Sequence, residues 1–404
     1  MTKDRFHHIA LACVTGLLWS CTTSQPSALR PIDPAALQAM VEATAKELLI
    51  PGVVVVLSTP QGEFTANYGT TLLGAANPPR ADTHFRIASN TKTMTAAVIV
   101  QMAQEGRLDL NDPVSKYIAG VPNGDKITIA ELLKMRSGLY AYTDAPEVSA
   151  TLDSDPTKVW TVAEVLNIAF NQRPYFAPGA AYSYSNTNYA LLGLIAEERE
   201  NGKPLSTILR DRLFGPLGMT NTALPASTSN AIPEPYSHGY LYGGSAYALL
   251  DNQQYPADIQ AMARAGTLKP NDDTGQNPSY ASAAGGVIST ANDLVTWMQA
   301  LGGGRVFNAD YQRRWFDSLE LQDPSVPGGL KYGYGIILLR WGPNAIYYHG
   351  GEMPGYNSFM GYDPVNKVTL VVWTNLTVSL DVLPTANTIM LKVLDQAYVK
   401  SPLR

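Results

Sequence analysis

Past residue 21 the chain contains no cysteine; Cys13 and Cys21 are the only two in 404 residues. A disulfide framework and a thiolate metal site are thereby excluded from the rest of the sequence, and stability must come from a core. Histidine is also scarce, at five residues, and two of these, His7 and His8, sit near the N-terminus. There is no HExxH and no Cys, His, Asp and Glu cluster at ligand spacing, which argues against a metallohydrolase. The G-x-S-x-G elbow of α/β-hydrolases is missing too. After residue 25 no apolar run reaches the roughly twenty residues that a membrane span requires. Charged residues make up only 16% of the chain, and the net charge of −5 is spread without long runs. Nucleic-acid surfaces cluster Lys and Arg, and this sequence does not.

What is present starts with "MTKDRFHH", a basic opening, followed by the apolar "IALACVTGLLW". This reads as a signal peptide over residues 1–20, with Cys21 directly after Ser20. "LWSCTTS" resembles a bacterial lipobox, which implies lipidation of Cys21, although Trp19 is bulkier than that pattern favours. The alternative is plain secretion. Residues 21–34 read as a tether. The apolar spacing of "AALQAMVEATAKELLI" predicts a helix, and "PGVVVVLSTPQGEFTANYG" a hairpin turning around Pro60-Gln61-Gly62. Strand character returns in "KYGYGIILLR", "AIYYH", "NSFMGYD" and "KVTLVVWTN", before a last helix in "TANTIMLKVLDQAYV". The simplest assembly is α/β (α+β). A central antiparallel sheet region, residues 35–105 and 282–404, is flanked by terminal helices and carries an inserted, mainly helical region, 106–281.

Three clusters could do chemistry. Ser89 is the only serine with a lysine three places later, Lys92, and the segment from Met94 to Ala103 then runs without a charge. A serine at a helix start can simply be an N-cap. Residues i and i+3 share a helix face, however, and burial beside a helix N-terminus opposes protonation of the amine. A neutral amine next to a hydroxyl can activate it as a nucleophile. The second cluster is Tyr184-Ser185-Asn186, either a cap after a Pro-Gly turn or a proton shuttle with an amide donor. The third is "YYHGGEMPGYNS", a strand expected to run into His349-Gly350-Gly351 and break at Glu352, Pro354 and Gly355. Its glycines either turn the chain or let a substrate lie along a strand edge. His84 and His238 read as structural.

In order, "SNTK", "YSN" and "HGG" resemble the motifs of the serine β-lactamase and penicillin-binding protein superfamily. The likeness is to its branch of class C β-lactamases, D-Ala-D-Ala carboxypeptidases and esterases. "PGAAYSYSNTNY", "SAAGGVISTANDL" and "GYDPVNKVTLVVWTN" extend it over nearly the whole chain. The resemblance implies that Ser89 is acylated, that Lys92 takes or relays its proton, and that Tyr184 is the base in acylation and then protonates the leaving group. It further implies that Asn186 orients the substrate amide, that His349 replaces a lysine common in relatives, and that the N–H groups of Ser89 and Glu352 form an oxyanion hole. No cofactor or metal is implied. Relatives that bind a substrate carboxylate carry hydroxyl residues where this chain has Gly350 and Glu352. Arg340 could supply the missing cation, or could be a solvated strand end.

The leading expectation is an exported carboxypeptidase-like enzyme acting on a D-Ala-D-Ala peptide, such as a peptidoglycan stem peptide. A carboxylesterase or a β-lactamase on the same residues is the alternative, and a non-catalytic envelope binding protein a remote one. The expected partners are a small peptide, ester or β-lactam, with no nucleic acid, and membrane contact only through an N-terminal lipid.

Overall fold

A computed structural model describes residues 29–399. The signal segment, Cys21 and the first part of the tether lie outside the described residues. Helix α1 (Pro34–Glu47) starts at Pro34 because Asp33 accepts from the N–H groups of Ala35 and Ala36, at 2.9 and 3.3 Å. Strands β1 (Gly52–Thr59) and β2 (Gly62–Gly69) form the expected hairpin. The other strands of this sheet come from the far end of the chain. They are β3 (Glu320–Leu321), β4 (Lys331–Tyr332), β5 (Ile337–Trp341), β6 (Asn344–Met353), β7 (Tyr356–Asp363) and β8 (Val368–Thr374). Together they make one eight-stranded antiparallel sheet in the order β2-β1-β8-β7-β6-β5-β4-β3. The chain's two ends meet where β1 pairs with β8, from Val53↔Thr374 to Ser58↔Thr369.

The run of valines in β1 is continuous because both faces of the sheet are covered. Val54 and Val56 join one core; Val53, Val55 and Leu57 join the other. The latter core lies under α1 and the C-terminal helix, Thr385–Ala397. The former holds three helices that matter for the site: α2 (Thr91–Gln104), α3 (Asn186–Arg199) and α4 (Ala291–Gly302). The C-terminal helix is α5.

Two strand expectations change. "KYGYGIILLR" is split into β4 and β5 by a turn at Gly335, whose φ is +70°. A Cβ there would stand 2.6 Å from the Ala96 side chain of α2, so the bend follows from the closeness of that helix. Conversely, β6 does not break at Glu352, which pairs with Asn357 in β7. Gly350 and Gly351 have no left-handed φ, and the turn falls on Pro354-Gly355, where Gly355 has φ +94°.

One aromatic contact ties the sheet to the site. Phe85, four residues before Ser89, stacks on Trp373 of β8 with ring centroids 4.8 Å apart, and both are fully buried. Trp373→Ala is expected to destabilise the fold by about 3–5 kcal/mol. Equilibrium urea unfolding would measure this, and a change below about 1 kcal/mol would contradict the packing.

Candidate active site

Ser89 stands in a 3-10 turn, Ala88–Asn90, directly before α2. The residue ahead of it, Ala88, has φ +47°, a conformation that side chains other than glycine seldom take. Strain at this point persists because the turn is bound from several sides. Asn90 Nδ2 donates to Ser358 Oγ on β7 at 2.8 Å, and Ser358 in turn donates to Ile87 O at 3.4 Å. The nucleophile candidate is thus fastened to the sheet.

Lys92 lies one turn on, with no exposed surface. Its Nζ is 2.8 Å from Ser89 Oγ, 2.6 Å from Asn186 Oδ1 and 2.8 Å from Ala284 O. Asn186 is held with its oxygen toward the amine because its Nδ2 donates to Thr143 Oγ1 at 2.9 Å. Two of the three neighbours of Lys92 can only accept. A neutral amine has two N–H bonds and one lone pair, so both hydrogens go to Asn186 and Ala284. The lone pair is left facing Ser89. Burial supplies the protonation state this geometry needs, pushing the amine well below the ordinary lysine value. Position Lys92 can therefore act as a base.

Tyr184 sits alongside, with Lys92 Nζ 4.7 Å from its ring centre. Burial raises the phenol well above its ordinary value, while a hydrogen bond with Ser89 pulls the other way. The phenol is accordingly a proton donor in the resting site, not a standing phenolate. Ser185, between Tyr184 and Asn186, precedes α3 but makes no capping bond.

His349 is buried, with Nδ1 2.6 Å from Gly350 O and Nε2 3.1 Å from Tyr332 Oη. A carbonyl only accepts, so the proton is on Nδ1, and Nε2 accepts from the Tyr332 hydroxyl. Burial, first of all, holds His349 down to about 3. It is therefore an uncharged ring at neutral pH. Sequence reading gave Tyr332 no role, because nothing local marks it; the strand register brings it to His349.

The glycines act by absence of bulk. A Cβ on Gly351 would lie 2.1 Å from Ile87 O and 2.5 Å from Ser358 Oγ, which no backbone shift of a few tenths of an ångström would relieve. Strand parity does the rest. In antiparallel pairing, successive residues direct their N–H and C=O to alternate neighbours. The closing pairs Trp341–Asn344 and Met353–Tyr356 place the even-numbered residues of β6 toward β5. Strand β5 begins at Ile337, opposite Tyr348, so the edge beyond it is free at Gly350 and Glu352. The amide of Glu352 points off that edge.

A cavity of about 410 Å³ gathers Ser89, Tyr184, Asn186, His349, Gly350, Gly351 and Glu352. Arg340 does not join them. It is exposed, paired with Ala345, three residues beyond Ile337 and hence roughly 10 Å along the strand. The expectation that it supplies a cation to this cavity fails on that distance. Asp144, Asp251 and Glu352 line the cavity instead, and no lysine or arginine does among the described residues. His84 and His238 lie elsewhere, bonded to Pro235 O and to Asp272 at 3.1 and 2.7 Å.

Two outcomes follow from the proton positions. Lys92→Met should lower kcat/KM by roughly 10²–10⁴-fold while circular dichroism shows an intact fold, and unchanged turnover would remove Lys92 from the chemistry. Tyr332→Phe strips Nε2 of its donor and so raises the proton affinity of His349. Its acid limb in a kcat/KM pH profile should move to higher pH than that of the wild type, and coincident profiles would contradict the assigned tautomer.

Comparison with known proteins identifies the family. AmpH of Escherichia coli, named a D-alanyl-D-alanine-carboxypeptidase/endopeptidase, is 27% identical over 78% of this chain and 77% of its own length. The Bacillus subtilis protein PbpX is 23% identical over 73% of the chain; the match spans only 62% of that protein. Among solved structures, the D-amino acid amidase of Ochrobactrum anthropi SV3 superposes with a TM-score of 0.76 and 27% identity, covering 90% of this chain and 98% of that one. A family model described as Beta-lactamase matches residues 37–395. The chain belongs to the β-lactamase family and is a serine hydrolase of the superfamily that also holds the penicillin-binding proteins.

Proposed function

We propose that the chain is a serine amidohydrolase that cleaves amides of D-configured acyl groups lacking a carboxylate, through an acyl-Ser89 intermediate. The observation that carries this reading is the set of side chains that line the cavity wall. Three carboxyl groups line it, and among the described residues no cation is available there to pair with a substrate carboxylate, since Lys92 is engaged and His349 is neutral. The likeness to a D-amino acid amidase supports the amide bond and the D configuration.

In this proposal the N–H groups of Ser89 and Glu352 bind the developing oxyanion. Lys92 takes the Ser89 hydroxyl proton as Oγ attacks the carbonyl carbon. Tyr184 gives its own proton to the leaving nitrogen and is refilled from the Lys92 ammonium, so the C–N bond breaks without expelling an anionic amide. Water then repeats the path in reverse on the acyl-enzyme. Asn186 holds Lys92 in line, and Gly350 leaves room on the strand edge for the acyl group.

A D-Ala-D-Ala carboxypeptidase is the second reading, supported by the similarity to AmpH and by a free strand edge suited to an extended peptide. Export, with Cys21 lipidated, remains part of the proposal on the strength of the N-terminal sequence.

The two enzymes separate in one assay. Purified protein should hydrolyse D-phenylalanine amide and leave a diacetylated tripeptide ending in D-Ala-D-Ala intact, with Ser89→Ala inactive. Benzylpenicillin, which carries a carboxylate, should leave no lasting adduct by intact mass. Release of D-Ala with the amide untouched would replace the amidohydrolase reading with the carboxypeptidase one.

A further inference from the structure

We infer that the wall of the cavity opposite Ser89 is a socket for a substrate ammonium group, made by Glu352, Asp251 and Asn387, so that the free amine of the acyl residue determines specificity. This rests on the amidohydrolase reading and adds to it the charge of the group next to the scissile carbonyl.

Glu352 and Gly350 have the same parity on β6, so the Glu352 side chain projects to the α5 side of the sheet, away from Lys92. One of its oxygens, Oε2, accepts from Asn357 Nδ2 at 3.0 Å. No hydrogen bond or ion pair is made by Oε1, and Glu352 has no cationic partner among the described residues. Asp251 lines the same wall and is close enough to oppose ionisation of Glu352. The second, independent observation is Asn387 on α5. Its Oδ1 is buried with no hydrogen-bond partner and faces the space left by Gly350, 3.9 Å from where a Cβ there would stand. A buried acceptor without a donor is costly unless something fills it.

These three groups are complementary to an ammonium, which has three N–H donors and no acceptor. Burial and Asp251 push Glu352 up to about 8 in the empty site. An entering cation reverses the effect, because an opposite charge favours the ionised carboxylate. The same wall offers a carboxylate no lysine or arginine among the described residues, and an acid stands where carboxylate-binding relatives are expected to carry a hydroxyl. The oxyanion amide and the acid belong to one residue. The ammonium is therefore held beside the carbonyl, which fits the amine on the α-carbon of the acyl residue.

The test compares D-phenylalanine p-nitroanilide with its N-acetylated form, in the full-length enzyme and in Glu352→Gln. The wild type should favour the free amine by roughly 10–100-fold in kcat/KM, as expected for a charge-assisted hydrogen bond. In Glu352→Gln the ratio should fall toward one, mainly through KM for the amine. Asp251→Asn is the second variant in case the first does not fold, and it should reduce the ratio by a smaller factor. Equal turnover of both substrates by the wild type, or a ratio unchanged in both variants, would overturn the socket and leave the amidohydrolase reading standing. No turnover of either would overturn both.

Discussion

The desolvated amine of Lys92 is the constraint on which the rest of the site depends. Taking an ammonium out of water is costly enough that the group gives up its proton instead. Helix α2 accomplishes this by being buried nearly all round, from Thr91 to Val100. A helix with no polar face has to be enclosed by other elements. α3 lies on one side, contributing Asn186, and the short helix Ser282–Gly285 on another, contributing Ala284. The packing that neutralises the amine therefore also delivers the two acceptors that direct its lone pair.

The sheet imposes the second condition, which is one of parity. Because β6 extends past the start of β5, its last even-numbered residues keep their backbone groups unclaimed by a neighbouring strand. Shifting the register by one residue would turn the Glu352 amide into β7 and move His349 away from Tyr332. The stacked pair Phe85–Trp373 and the Asn90–Ser358 bond fix the nucleophile turn against this same strand system. Ser89 and the strand edge are consequently positioned by one rigid body, as a site needing sub-ångström alignment requires.

Much of this was legible in the sequence, for identifiable reasons. An uncharged run after Lys92 signals a buried helix, and four valines in a row signal a strand covered on both faces, since each pattern is a direct record of burial. The glycines of the third cluster were ambiguous because extended and turning glycine look the same in a string. Steric room against Ile87 O and Ser358, a tertiary fact, decides between them. Tyr332, Thr143 and Asn387 were invisible for a related reason: each reaches the site from a segment whose local pattern says only turn, strand or helix. Arg340 is the reverse case. A strand-end cation could be read as a substrate contact or as a solvated end, and three residues of extended chain carry it too far from the pocket for the first.

The substrate side of the cavity obeys different rules from the catalytic side. Lys92, Tyr184 and His349 are all driven to their neutral forms by burial, so the nucleophile's surroundings present almost no fixed charge. The acidic wall, by contrast, gathers three carboxyl groups, and burial together with Asp251 raises the proton affinity of Glu352 and Asp144. The Glu352 side chain lies across the sheet from Lys92, outside the hydrogen bonds that join Lys92 to Ser89, Asn186 and Ala284. The division follows from the alternation of side chains along a single strand: His349 and Gly351 face the Lys92 side of the sheet, while Gly350 and Glu352 face the α5 side.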